Sequence, residues 1–399
     1  MTSCDILISG GGVAGLTAAA VFGDAGFRVI CVDPAPPITD STQDGADLRS
    51  TAFLQPARDL LERAGLWARL APHAMPLQVM RIVDAGGPAP EARSIRDFVA
   101  DEISERPFGW NLPNWLLRRE MAARLADLPG VDFRPGIGTK SLFTRTTGAR
   151  VTLSDGDVIN AKLVIAADGR NSPMRQAAGI SVTTQRYGQK ALAFAVSHPI
   201  PHDNVSTEIH RTGGPFTLVP LPDQNGMPSS AVVWMEPGAR AADLAQMPVP
   251  EFEAAMTERS CALFGPLTLL SARSLWPIIS QRATRLTAER LALMAEAAHV
   301  MPPIGAQGLN TSLADLACLL DLAQARPEGL GDAPMLDAYA RARHTDIALR
   351  STGIDLLNRA AMARAQPLRD LRAAALNTLH GLTPVRHGLM HMGLGLRRK

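Results

Sequence analysis

Residues 5–33 read DILISGGGVAGLTAAAVFGDAGFRVICVD, and the fold turns on this stretch. Residues 5–9 form a short apolar run that stops at Gly10-Gly11-Gly12-Val13-Ala14-Gly15, a match to G-x-G-x-x-G. Leu16 to Phe22 read as an Ala-rich helix, residues 28–32 (RVICV) as a second buried strand, and Asp33 ends it. Strand, glycine turn, helix, strand and acid follow in the order a dinucleotide-binding unit requires. Gly10 permits the tight turn. Gly12 lets backbone approach a pyrophosphate at the helix N-terminus, and Gly15 lets helix and strand pack closely. Asp33 stands 18 residues after Gly15, near the offset of ~20 at which an acid accepts hydrogen bonds from a ribose diol. A glycine-rich turn without a ligand would need only part of this pattern. The motif does not choose between FAD and NAD.

Working outward, 399 residues make roughly two or three domain-sized units. With 46% hydrophobic and 20% charged residues the chain reads as globular, not disordered. Its net charge of +2 is a poor basis for binding nucleic acid through overall charge. The four cysteines, Cys4, Cys31, Cys261 and Cys318, show no C-x-x-C and no zinc spacing. No metal site and no disulfide framework are therefore expected, and a reducing compartment is. MTSCDILISG lacks a basic n-region, and no run of 18 apolar residues occurs. The expectation is a soluble cytoplasmic protein.

Further along, Asp47-Leu48-Arg49-Ser50 precedes an expected helix, Gln55 to Leu66. Arg49 there could reach a cofactor phosphate or ribose, or be a solvated surface charge. Arg118 opens another expected helix, where a basic residue opposes the dipole unless an anion is near. Residues 150–153 and 161–166 read as strands, and the second runs into Asp168-Gly169, which places a carboxylate at the sheet's C-terminal edge or simply ends a strand. Residues 186–236 change to short, partly alternating segments, an antiparallel sheet distinct from the first, and 250–264 read as a helix. Near 290 the first character returns: strand RLALMAE, then Ala297-Ala298-His299, then Pro302 to Asn310 before a helix through Asp315. Residues 366–399 carry six Lys and Arg against Asp370 alone, with apolar Leu371, Leu379, Leu382, Leu389, Met390 and Leu394. Such a tail suits an anionic membrane surface, or forms terminal helices packed on the body.

Three separated segments, GGGVAGL with Asp33, AADGRNS, and AEAAHVMPPIGAQGLNTSLAD, resemble the FAD-dependent aromatic monooxygenases that include para-hydroxybenzoate hydroxylase. DLRSTAFL and the closing GLMHMGLG resemble the UbiH/VisC-type ubiquinone-biosynthesis hydroxylases within that group. The resemblance implies an α/β fold, in which a Rossmann-type FAD-binding domain (1–78, 105–185 and 275–345) interleaves with an antiparallel β-sheet substrate domain (79–104 and 186–274). C-terminal helices (346–399) follow. It implies that Gly10, Gly12, Val13, Ala14, Gly15 and Asp33 hold the ADP half of FAD, that Arg49 and Arg118 lie near flavin and phosphates, and that Asp168 and Gly169 serve FAD and NAD(P)H. Pro303, Gly305, Ala306, Gln307, Gly308, Leu309 and Asn310 would lie beside the flavin ring, and Asp315 matches an acid in the helix that follows. Glu296, with Ala295, stands where the family has Gly-Asp, and Gly305-Ala306 stands where the subfamily often has Ala-Gly.

The implied activity is hydroxylation of the aromatic ring of a polyprenyl phenol in ubiquinone biosynthesis, with O2, NAD(P)H-reduced FAD and a flavin C4a-hydroperoxide. The implied setting is peripheral contact with the inner face of the membrane through the tail, and contact with other quinone-biosynthesis enzymes. Loss of residues 381–399 is expected to leave FAD bound. The catalytic base stays open among His210, His299 and Tyr187. Phe194, Phe216, Leu218, Val219, Pro220 and Trp234 offer either a substrate wall or core packing. Three other readings share these residues: a hydroxylase of a soluble phenol on the same fold, a flavin reductase acting on isoprenoid double bonds, and a non-catalytic scaffold in a quinone-synthesis assembly.

Overall fold

The computed structural model describes residues 2–47, 49–363 and 365–395. Leu48, within the DLRS phrase, and Arg397, Arg398 and Lys399 of the basic tail lie outside the described residues. Among the described residues the chain forms sheets of eight, nine and three strands.

Strand β1 (Thr2–Ser9), helix α1 (Val13–Asp24) and strand β2 (Val29–Asp33) build the expected unit. Ile6, Leu7 and Ile8 are all buried, because a parallel sheet covered on both faces tolerates no polar alternation. Helix α1 is buried from Ala14 to Phe22, and its small side chains let it lie close to the sheet.

The chain then leaves this unit. Strand β3 (Ser50–Leu54) pairs with Gly109–Pro113, which also pairs with Met75–Leu77. The sequence reading had no strand at β3, since five residues between loop and helix show little periodicity. Helix α2 (Asn114–Ala126) begins four residues before Arg118. Strand β4 (Val158–Ala166) returns to pair in parallel with β1.

The second sheet is built on β5 (Val182–Ser197), β6 (Pro215–Gln224), β7 (Met227–Pro237) and β8 (Ser274–Ala283). These strands are antiparallel to their neighbours. One pairing in the sheet is parallel, Val205–His210 beside Val79–Asp84, which the long intervening excursion permits. Residue 275 thus falls inside a strand of the second sheet, because β8 extends β5 and does not yet return to β4.

Strand β9 (Leu291–Leu293) rejoins the first sheet beside β4, with Ala166 opposite Leu293. Helix α3 (Gln307–Ala325) crosses beneath it, and α4 (Ala333–Ala361), α5 (Gln366–Gly381) and α6 (Thr383–Leu394) close the chain. Asp332 caps α4 by accepting from the Met335 N–H at 3.0 Å. No helix among the described residues is long and apolar enough to cross a membrane.

Candidate active site

Strands β1, β2, β4 and β9 run in parallel, so their C-terminal ends share one edge. That edge brings together the Gly10–Gly15 turn, Asp33, Asp168 and Glu296. Gly10 has φ +108°, and a Cβ there would sit 2.4 Å from the Ala167 carbonyl oxygen. A Cβ at Gly15 would sit 1.8 Å from the Gly10 carbonyl oxygen. Gly12 differs. Its φ is −70°, and a Cβ would meet nothing within 4 Å. Val13 and Ala14 open α1, which has neither a side-chain cap nor an acid in its first turn. Free N–H groups face an open space, a cradle shaped for a phosphate.

Asp33 is half-buried. Its Oδ2 accepts from the Gly11 N–H at 2.5 Å and its Oδ1 from the Ala35 N–H at 2.9 Å. Each oxygen keeps a lone pair for a diol. Asp168 accepts at Oδ2 from Ser9 Oγ (3.1 Å) and the Met174 N–H (3.2 Å). Its Oδ1 is buried with no hydrogen-bond partner among the described residues. An unmet buried oxygen costs about 1–3 kcal/mol, and a hydroxyl-bearing ligand would satisfy it. Gly169, at φ +82°, turns the chain away with open space beside it. Burial raises the Asp168 carboxyl above its ordinary value despite those hydrogen bonds.

A raised acid stabilises the ligand-free fold at low pH, and that contribution is lost as pH rises through the folded value. Hydroxyl donors on a ligand favour the ionised form, so FAD binding should release a proton. FAD affinity is therefore expected to rise with pH over the interval just above the ordinary carboxylate range and then level off. Fluorescence titration at several pH values checks this, and Asp168→Asn should flatten the limb.

The arginines converge on Asp47. Arg49 grips it with Nε and Nη2, both at 2.7 Å, and Arg118 Nη2 lies 3.7 Å away. Asn114 Nδ2 donates to the same carboxylate at 3.0 Å. Burial works to raise the Asp47 carboxyl, but the Arg49 hydrogen bond and charge, with Asn114 and Arg118, hold it below its usual range. Arg118 Nε is buried without a partner among the described residues. The expectation that Arg118 opens a helix is corrected: it lies in the second turn of α2, so Asp47, not the helix dipole, is its electrostatic setting. The Asp47 hydrogen bond keeps Arg49 charged, with Glu296 adding its field from the β9 edge. Arg49 also stacks over Trp276 of β8, with 5.4 Å from guanidinium to ring centroid. Here the segment leading into β3 meets the second large sheet.

Glu296 is exposed between buried Ala295 and Ala297. Ala295 sits at φ +53°, a left-handed turn of the kind that favours glycine. Pro303 is exposed, Gly305 has φ +61° and Ala306 φ +56°, and α3 starts at Gln307. A Cβ at Gly308 would meet nothing within 4 Å, and Leu309 packs on the first core. Asn310 clips this loop to β3. It accepts from the Leu54 N–H at 2.8 Å and donates to the carbonyls of Ala52 and Ala306, both at 2.7 Å. Left-handed backbone costs an L-residue about 1–2 kcal/mol. Ala295→Gly and Ala306→Gly should each raise stability by about 1 kcal/mol after the entropy of glycine is set against that relief. Thermal unfolding of the ligand-free chain reads this.

The base candidates are all engaged. Tyr187 donates to Asp355 Oδ1 at 2.6 Å, and burial together with that carboxylate pushes its phenol well above the ordinary range. His210 Nε2 lies 2.7 Å from Glu208, and His299 Nε2 lies 2.7 Å from buried Asp315. The wall candidates divide by strand alternation. Phe194, Phe216, Leu218 and Trp234 pack in a core beneath the helices Gly238–Gln246 and Val249–Arg259, facing away from Arg49. Pro220 is buried and accepts from Asn111 Nδ2 at 2.9 Å. Val219 falls on the other face, with half-buried Thr217, Val233 and Trp276. The sequence reading missed this set because alternation shows that two faces exist and not which one a helix covers. It also missed buried Arg175, which donates to the carbonyls of Ala297 (2.9 Å) and Arg170 (2.7 Å) and so joins two site loops.

Residues 3–349 match the family described as FAD binding domain. The chain is 31% identical over 394 residues to the ubiquinone hydroxylase UbiL of Rhodospirillum rubrum, covering 98% of this chain and 89% of that one. It is 27% identical to the 3-demethoxyubiquinol 3-hydroxylase of Escherichia coli, covering 98% of each. The fold is similar to that of p-nitrophenol 4-monooxygenase PnpA from Pseudomonas putida, with a TM-score of 0.80, 19% identity and all of both chains covered. An open phosphate cradle, an unmet carboxylate oxygen beside it and this similarity along the whole chain agree: the chain belongs to the FAD-binding-domain family of flavin-dependent monooxygenases, on the branch that holds the ubiquinone hydroxylases.

Proposed function

We propose that this protein is an FAD-dependent monooxygenase that hydroxylates the ring of a polyprenyl phenol in ubiquinone biosynthesis, drawing electrons from NAD(P)H. The observation that carries the reading is the edge where Gly12, Asp33 and the free oxygen of Asp168 meet, in a chain that aligns end to end with named ubiquinone hydroxylases. The open cradle at Gly12 and the unmet oxygen of Asp168 persist beside the Gly-Asp departure and favour a cofactor-binding enzyme over the scaffold reading.

Bound FAD supplies reduction by NAD(P)H and the activation of O2. The protein's residues do the rest. N–H groups of α1 would hold the pyrophosphate, and Asp33 and Asp168 would hold hydroxyls of the ribose and ribitol. Asp47 fixes Arg49 and Arg118 as a positive rim that turns toward an anionic cofactor. The loop at Gly305–Asn310 would lie along the flavin ring, pinned by Asn310. The half-buried face of Thr217, Val219, Val233 and Trp276 offers the apolar surface that keeps water from the reacting oxygen. No side chain need act as a strong base if the phenol is already electron-rich.

The test is deletion of the gene, with mass spectrometry of the quinone precursors that accumulate. A precursor lacking one ring hydroxyl supports the reading, and its substitution pattern names the step. An unchanged ubiquinone profile with no precursor overturns it.

A further inference from the structure

Sixteen large apolar side chains are exposed among the described residues, and ten of them lie between Leu349 and Met392. That concentration sets the C-terminal helices apart from the rest of the surface. Helix α5 has no buried residue, and Leu368, Leu371, Ala375, Leu379 and Leu382 recur on one face at spacings of three and four. Leu371 is 64% exposed. The polar face does the anchoring. Arg372 Nη2 reaches buried Asp84 at 3.0 Å, His380 Nε2 meets the Asp97 carbonyl at 2.9 Å, and Gln366 Nε2 meets the Gly86 carbonyl at 3.1 Å. An amphipathic helix ordinarily turns its apolar stripe inward. Here it is held by its polar side and presents leucines to the outside.

Helix α6 continues the pattern outward with Val385, Leu389 and Met392. Its other side buries Met390 and Leu394 against Leu54 and Phe108. Gln307 of the flavin loop donates to the Gly393 carbonyl at 2.9 Å. The outward leucines are therefore about one helix diameter, ~10 Å, from the loop. The sequence reading expected that removing residues 381–399 would spare the cofactor. These contacts argue against that expectation, since the deletion would strip support from the flavin loop itself.

Charge identifies what covers the face. Residues 341–399 hold eleven Lys and Arg against three Asp, a net +8, while the other 340 residues carry −6. Arg343, Arg372 and Arg386 pair with Asp315, Asp84 and Glu102 of the body, which leaves the segment an excess of +5. A second copy would set that excess against itself, whereas an anionic bilayer offers both hydrocarbon for the leucines and opposite charge for the basic segment. We propose that the outward faces of α5 and α6 form a docking surface for an anionic lipid bilayer, setting the flavin loop beside the membrane. That this orientation serves a polyprenyl substrate rests on the function proposed above; the docking itself does not.

The test uses the full-length FAD-loaded protein and sedimentation with vesicles, either phosphatidylcholine alone or phosphatidylcholine with phosphatidylglycerol. The parent should bind the anionic vesicles, more weakly as salt rises. Leu371→Glu/Leu379→Glu/Leu389→Glu should lose about tenfold or more in partitioning, with flavin absorbance retained. Leu371→Ser/Leu379→Ser/Leu389→Ser should show the same direction without added charge. Phe143→Glu, exposed on another surface, should bind as the parent does. The proposal is overturned if the parent ignores anionic vesicles, if the triple variants bind undiminished, or if lipid-free sedimentation shows a dimer that the triple variants dissolve. Vesicle binding without hydroxylation of an embedded polyprenyl phenol would instead overturn the function and leave the docking intact.

Discussion

A Gly12→Ala chain should fold as its parent does and yet fail to hold FAD. Gly12 has an ordinary backbone conformation, and a methyl group there meets no protein atom within 4 Å. Unfolding of the ligand-free variant should therefore stay within about 0.5 kcal/mol of the parent. The space the methyl enters is where a pyrophosphate would meet the N–H groups of α1. Hydrogen bonds to a charged group contribute about 1.5–3 kcal/mol each, so displacing the phosphate from two of them should weaken FAD by roughly a hundredfold or more. Gly15→Ala supplies the contrast. Its methyl would lie 1.8 Å from the Gly10 carbonyl oxygen, so helix and strand must separate, with a loss of roughly 3 kcal/mol or more in the ligand-free chain. Thermal unfolding and flavin fluorescence titration separate the two effects. A Gly12→Ala chain that binds FAD as tightly as the parent would falsify the placement of the cofactor.

That contrast also marks what the sequence could reveal. The spacing from Gly10 to Asp33 is local, so one window of residues exposed strand, turn, helix and acid together. Asp168 and Glu296 were legible as motif positions, but their meeting depends on β4 and β9 lying side by side, a pairing of strands well over a hundred residues apart. Arg118 was misplaced because a helix start is read from caps, and Pro113 with Asn114 gives a weak one. For Phe194 and Trp234 the sequence leaves substrate wall and core packing open, and the covering helices decide for the core. Asp47 is legible as part of the DLRS phrase, but its role is not. Its importance comes from three partners on two different elements, and no periodicity records such a hub.

Asp315→Ala should be the most damaging substitution outside the glycine turn, although Asp315 touches none of the residues proposed to hold FAD. Its carboxylate is 0% exposed and joins two buried groups, His299 Nε2 at 2.7 Å and Arg343 Nε at 2.7 Å. Burial alone would lower the Arg343 guanidinium, but the charge and hydrogen bond of Asp315, with the charge of Asp346 added, together outweigh it and keep that side chain ionised. Alanine would leave a nearly buried cation without its buried partner, with only half-buried Asp346 beside it. Such breaks cost about 3–5 kcal/mol, or roughly 5 °C in unfolding temperature for a chain of this size. The damage should not stop there. Arg343 also contacts Asp346 at 2.9 Å, Asp346 pairs with Arg350 at 3.1 Å, and Arg350 donates to Gln307 Oε1 at 2.6 Å. The pairs run from the buried histidine to the flavin loop, so a displaced Arg343 should loosen Gln307 and weaken FAD as well as the fold. Replacing both ends, as Asp315→Leu with Arg343→Met, removes the stranded charge and should cost less than Asp315→Ala alone. Equal losses in the single and double variants would mean that shape, not charge, is what Asp315 contributes. A stable Asp315→Ala chain with undiminished FAD affinity would mean that the pairs carry no influence from α4 to the loop.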